Sequence, residues 1–203
     1  MKENEIKKMI NYTAEDEFDI EELKNRRLYL NMQIDESIID SIVFHIMRYN
    51  REDAGKPSGD RKPIVIYINS PGGSLSDGYG LIDTIMASET PVITVNQAMC
   101  ASMGFLIFIA GHKRYTMPHA QFLMHDGSTA GWDSTAKMKD RMEFETGQLE
   151  KMTRDYILQN TKITPEKYEE KYRVEWYMLP EEAKNYGICD AIVGNDCGIE
   201  AIL

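Results

Sequence analysis

Short β-branched runs alternate along the chain with stretches of helical spacing, and that rhythm sets the fold class. Ile64 to Ile68 is an apolar run between a polar loop and a glycine turn, the pattern of a buried strand. Pro91 to Gln97, Arg114 to Met117 and Phe122 to His125 read as further strands, with Arg27 to Leu30 before them and Ile188 to Val193 after. Between them, Ile38, Ile39, Ile42, Val43, Ile46 and Met47 recur at helical spacing behind a capping Asp35. Leu81, Ile82, Ile85 and Met86 mark a helix from about Ser76 to Ser88. Ala98 to Gly104 is expected to turn into a short apolar helix ending near Gly111. Strand and helix in this order predict an α/β fold with parallel strands and right-handed crossovers.

Other stretches depart from that rhythm. Residues 1 to about 24 are polar, and Glu15 to Glu22 carries six acids in eight positions. Such a run is usually a solvated arm or a frayed helix. Asn50 to Lys62 reads as a polar loop. From Asp133 to about Asn160 the spacing of Met138, Met142, Leu149, Met152 and Tyr156 predicts one long helix. At 1.5 Å per residue it would run roughly 40 Å, longer than so small a core needs, so it points to a projection into a partner subunit. Thr164-Pro165 is a cap with proline at the first helical position, and Pro180 to Tyr186 is a short helix closed by Gly187.

Composition narrows the function. The hydrophobic fraction of 42% is that of a globular chain, and the net charge of −10 repels phosphate backbones. No local basic face offsets that charge, so nucleic acid is not an expected partner. Phe105 to Ala110, the longest apolar stretch, is far too short to span a bilayer, and Met1 to Asn11 has no apolar signal core. Cys100, Cys189 and Cys197 are odd in number and widely spaced, which fits neither a disulfide framework nor a zinc site. A cytoplasmic protein without a membrane segment is the expectation. The 13 methionines are core filler for the most part, or adaptable packing at subunit contacts.

Three features carry candidate chemistry. Pro71-Gly72-Gly73 follows a buried strand, and glycines there let another group approach backbone N–H donors. Ser102 sits where an apolar strand gives way to a helix, with the Met103 N–H beside it. A serine in that position is far more often a helix cap than a nucleophile. His125 closes a strand, where a lone histidine is more often a surface residue. A serine hydroxyl needs a base within hydrogen-bond reach, and parallel strands present their C-terminal ends on one rim. Convergence of the three would give nucleophile, base and oxyanion donors, the minimum set for acyl transfer.

Tyr67-Ile68-Asn69-Ser70-Pro71-Gly72-Gly73-Ser74 closely resembles a motif of the Clp protease proteolytic subunit family, ClpP. So do Ala101-Ser102-Met103-Gly104 with Ala110-Gly111, Leu123-Met124-His125, and Met178-Leu179-Pro180-Glu181-Glu182-Ala183 leading to Tyr186-Gly187 and Asp190. Their order and spacing cover about residues 26 to 195. The resemblance implies a ClpP/crotonase-type α/β fold with a protruding handle of strand and long helix, at about 126–160. It implies a charged arm over 1–24, a protease domain over 25–195 and a tail over 196–203. Ser102 would be the nucleophile, His125 the general base, and the Gly73 and Met103 N–H groups the oxyanion hole. An unfolded protein or peptide would lie as an added strand against Gly72, Ser74 and Leu75 and the segment after His125. The family stacks two heptameric rings into a tetradecameric chamber, works with an ATP-driven Clp unfoldase, and needs no cofactor or metal.

Two departures qualify the resemblance. The family's third catalytic residue is an aspartate, and ungapped alignment of Thr161 to Ala183 puts Lys171 there. Lysine cannot orient an imidazole as a carboxylate does. A Ser–His pair working alone is the favoured reading. The others are an acid swinging in from Glu169, Glu170 or Glu175, a subunit inactive until assembled, and a Lys171 paired with a surface acid while the true acid lies elsewhere. A degenerate ring subunit scaffolding a mixed assembly is the alternative function, and an acyl-CoA enzyme sharing the oxyanion hole is a third. The usual gating-loop pattern is also missing from the N-terminal segment. Tyr67 matches an aromatic of the unfoldase-docking pocket, whereas Ala87 stands where a second aromatic is expected.

Overall fold

The computed structural model describes residues 13–127 and 133–203. Residues 1–12 of the arm expected over 1–24, and residues 128–132 of the segment expected to follow His125 along the substrate, lie outside the described residues. The chain begins with α1 (Ala14–Lys24), the acidic run, which is helical because Thr13 and Asp16 form a reciprocal capping box. Its last turn docks on β1 (Arg27–Leu30): Glu22 is buried, 3.0 Å from Arg27 and accepting from Tyr29 Oη at 2.6 Å. A π-helical turn (Ile39–Val43) leads into α2 (Phe44–Glu52), whose Ile46 and Tyr49 face the core.

The central sheet follows. Strands β2 (Ile64–Ser70), β3 (Val92–Ala101) and β4 (Lys113–Thr116) are parallel to β1, and the order is β1-β2-β3-β4-β7, with β7 at Ala191–Ile192. Helix α3 (Leu75–Ala87) crosses from β2 to β3, and α4 (Met103–Ile109) from β3 to β4. All seven residues of α4 are buried, which explains its lack of any polar face. Strand β2 is buried on both sides, as interior parallel strands are. Ile64, Ile66 and Ile68 enter the main core. Val65 and Tyr67 enter a smaller cluster with Val95, Tyr115 and Val193, closed by Ile202 of the C-terminal 3₁₀ turn (Ile199–Ile202).

Strand β3 serves two neighbours. Its first half pairs with β4, and its last residues, Met99 to Ala101, pair with β5 (Gln121–Met124). Strand β5 in turn pairs antiparallel with β6 (Trp176–Met178). Ala98 to Ala101 are therefore strand, not the approach to a helix: β5 supplies the ladder that extends β3. The last strand is shorter than its apolar run, because Ile188 N–H turns back to the Ala183 carbonyl at 2.9 Å.

The long helix is present as α5 (Thr135–Phe144), a π-helical turn (Glu145–Leu149) and α6 (Glu150–Asn160). Helix α5 buries nothing, whereas α6 is tied down by Ile157, by Tyr79 Oη–Thr153 Oγ1 at 2.6 Å and by Tyr156 Oη donating to the Leu106 carbonyl at 3.0 Å. One end of the helix is anchored and the other projects. Helices α7 (Pro165–Lys171, capped by Thr164) and α8 (Pro180–Asn185) flank β6. No described helix is long and apolar enough to cross a membrane.

Candidate active site

Strand β3 ends at Ala101, and the turn into α4 is made by Ser102 with φ 53° and ψ −121°. A side chain in that region costs about 1–3 kcal/mol and persists only where neighbours over-determine it. Here they do. Ser102 N–H donates to the Leu123 carbonyl at 2.9 Å, and its own carbonyl accepts from Phe105 and Leu106 at 3.0 and 3.2 Å. The hydroxyl makes no capping bond, unlike Ser74, which accepts from Asp77 N–H at 3.4 Å. The ordinary role of a serine at a helix start is thus not the role of Ser102. The turn is strand-to-helix, strained and half-buried, the arrangement that presents a nucleophile.

The glycine turn abuts it. Ser70 lies level with Cys100, and Cys100 level with Phe122, so the ends of β2, β3 and β5 form one rim. Gly72 has φ 97°, and a Cβ placed there would stand 2.7 Å from Ser102 Cβ and 2.9 Å from the Ala101 carbonyl. Only glycine allows the two turns this approach. Ile34 takes the flanking groups of the next residue, accepting from Ser74 N–H at 2.8 Å and donating to the Gly72 carbonyl at 2.9 Å. In such a parallel bridge the central residue turns its own N–H to the opposite side. Gly73 N–H therefore faces away from Ile34, on the side where β3 ends. Ser74 caps α3, and Leu75 opens it.

Leu123 is paired with Ala101 and its carbonyl accepts from Ser102 N–H, so β5 ends at Met124 beside the serine turn, and His125 follows it half-buried. Among the described residues no hydrogen bond joins the Ser102 hydroxyl to His125. Glycine turn, serine and histidine-bearing strand end are thus brought to one rim of the sheet.

Lys171 ends α7 with its ammonium 5.9 Å from the centre of the Trp176 ring and 3.4 Å from Glu170. Trp176 pairs with Met124, so Lys171 reaches the strand beside His125 but spends its charge on a carboxylate and a ring. Of the acids weighed from sequence, Glu169 is held by Arg154 at 3.0 Å, and Glu170 also by Lys167 at 2.7 Å. Glu175 accepts from Tyr177 Oη at 3.2 Å. The described residues contain no group of side chains able to hold a metal ion. Ile34 and Trp176 had no sequence signal: one is a lone apolar residue after a strand, the other one of several near β6.

On the far side of the sheet, Tyr67 stacks on Tyr29 at 5.2 Å and donates to the Ile202 carbonyl. The two rings line a pocket of about 240 Å³ with Asn31, Asn69 and Gln97, while Ala87 lies exposed elsewhere.

A parallel-dominated α/β sheet with this branched β3 and a projecting long helix is the ClpP fold. The Clp protease family model matches residues 13–196. "ATP-dependent Clp protease proteolytic subunit 1" of Frankia casuarinae is 35% identical over 189 residues, covering 84% of this chain and 78% of that protein. "ATP-dependent Clp protease proteolytic subunit 2" of Rhodococcus jostii is 33% identical over 173 residues, covering 84% and 85%. Its namesake in Prochlorococcus marinus is 30% identical over 175 residues, covering 83% and 82%. The chain belongs to the Clp protease family.

Proposed function

We propose that this chain is a serine endopeptidase that cleaves unfolded proteins or peptides, with Ser102 as nucleophile and His125 as general base. The observation that carries the reading is the strained Ser102 turn packed against Gly72 at the rim where β5 ends. In the proposed reaction His125 takes the hydroxyl proton as Ser102 Oγ bonds to the scissile carbonyl carbon. The carbonyl oxygen becomes an oxyanion held by the N–H groups of Gly73 and Met103. His125 then protonates the leaving amine, and water repeats the sequence on the acyl-enzyme. The peptide lies as an added strand along Gly72, Ser74 and Leu75 and along the chain after His125. No cofactor or metal takes part.

The assembly proposed is a homo-oligomer, two heptameric rings stacked as a tetradecamer, fed by an ATP-dependent Clp unfoldase. Exposed Met138, Met142, Phe144 and Met152 on the long helix support burial against other copies, and the relatives' names support the ATP-dependent partner. Three free cysteines support a reducing, cytoplasmic setting. Ser102→Ala should abolish hydrolysis of an unstructured fluorogenic peptide while leaving assembly by native mass measurement unchanged. Normal cleavage by that variant would end this reading.

A further inference from the structure

The second face of the sheet is closed by a six-residue segment that little else holds in place. We propose that Gly198–Leu203 is a detachable cover, keeping shut an apolar groove whose competing ligand is a short aliphatic segment of a partner protein. This deepens the partner reading above and rests on it only for which protein supplies that segment.

Parallel strands need both faces covered. The main core is built on helices α2, α3 and α4. The second cluster takes its residues from β2, β3, β4 and β7, from the chain just beyond β4 and β7, and from the last 3₁₀ turn; no α-helix contributes. Val65, Tyr67, Val95, Tyr115 and Val193 form its floor, and Ile202 is the buried side chain laid on them, with Ala201 beside it. No charged residue belongs to the cluster.

The approach to this segment is rigid, and the segment itself is not tied down. Gly194, at φ 88°, opens a turn in which Asp196 accepts from Ile192 N–H at 2.7 Å and from Lys184 Nζ at 2.5 Å, and Cys197 bridges back to Val193. Beyond Cys197 only Ile202 is buried, whereas Ile199 is 56% exposed and Leu203 64%. Among the described residues, Tyr67 Oη donating to the Ile202 carbonyl is the hydrogen bond that joins the segment to the sheet. One aliphatic side chain and one phenol hold the cover. Segments with so few buried contacts open far more readily than the fold as a whole.

The covered groove shows what it accepts: an aliphatic side chain over valines and tyrosines, and a main-chain carbonyl at the Tyr67 hydroxyl. A partner segment offering both must displace the cover. Because the cover is part of the same chain, it competes at a high local concentration, and a free peptide binds only the open fraction.

Ile202→Ser in the full chain tests this, since it withdraws the aliphatic plug and leaves the backbone carbonyl in place. The probe is a fluorescein-labelled peptide of residues 198–203, followed by fluorescence polarisation. It should bind Ile202→Ser saturably and at least about tenfold more tightly than the parent, whose own segment competes. Adding Tyr67→Phe to that variant should weaken binding about threefold or more, because the ring stays and the donor is lost. The same peptide with serine in place of its second isoleucine should not bind. Equal affinity for parent and Ile202→Ser, or no binding to a folded Ile202→Ser chain, overturns the proposal. Loss of the native circular dichroism in Ile202→Ser would make Ile202 an indispensable part of the core and overturn it as well. A rise in oligomer mass without peptide binding would give the groove to a second copy of this chain, and the proposal would fall. The measurement involves neither Ser102 nor an ATPase, so a groove that binds the peptide but no Clp ATPase would sink the partner reading alone.

Discussion

Ser102 and Gly72 form one device: the serine holds a costly backbone conformation, and the glycine makes room for it. Gly72→Ala would place a methyl group against Ser102 Cβ and force a side chain onto φ 97°. We expect at least about 2 kcal/mol of destabilisation, read as a fall in thermal midpoint, with peptide hydrolysis falling more steeply than the folded fraction. Unchanged hydrolysis would show that the turns need not touch. At this scale the sequence was informative about identity and silent about geometry. Pro71-Gly72-Gly73, Ser102 and His125 could be picked out by residue type and position. The positive φ of Ser102 could not, since serine has no preference for it. Nor could the fate of Lys171, which depends on Glu170 and Trp176 lying beside it in space.

Elements are held in register here by a buried charge as well as by apolar packing. Arg26, just before β1, donates to Asp53 at the end of α2 at 2.5 and 2.9 Å, and Asp53 also accepts from Lys56 and Thr90. The Arg26 bond above all holds the Asp53 carboxyl well below the usual carboxylate range, against the opposing effect of burial. A depressed folded-state pKa stabilises the native state above the unfolded value of about 3.9, and that contribution fades as pH falls below it. Thermal midpoints measured from pH 6 down to pH 2 should therefore drop more in the parent than in Asp53→Asn. At neutral pH the same variant should cost about 3 kcal/mol, because it leaves Arg26 buried without its counter-charge. Equal acid slopes in the two proteins would sink this account. Helix positions were the most legible elements, since Ile38 to Met47 and Leu81 to Met86 repeat at a clear period. Strand ends were the least: β3 runs on through Ala98 to Ala101 only because β5 waits to pair with it.

The whole molecule divides into an anchored core and a projecting arm. Helix α5 presents Met142 (54% exposed) and Phe144 (51% exposed) with no residue of its own buried, so it adds nothing apolar to the core of a lone subunit. Met142→Glu should therefore leave the unfolding free energy of the subunit within about 0.5 kcal/mol of the parent while lowering the oligomer mass seen by light scattering. An unchanged mass would remove the long helix from the proposed interface. This projection was foreseeable from length and an incomplete apolar stripe. The closure of the second sheet face by Ile202 was not, because that packing joins residues from opposite ends of the chain.

Strand β3 has a consequence of its own, since it is shared between two ladders that meet near Gln97. Inserting a single residue there would leave Ile93 to Asn96 zipped to β4, while everything downstream is displaced by one notch. With a repeat of two, that notch swaps inside for outside. The scaffold half would survive, and the half that carries the proposed nucleophile would face the wrong way. The count of residues between the two ladders is thus a molecular ruler, and it is spacing, as much as the identity of any side chain, that aims the chemistry.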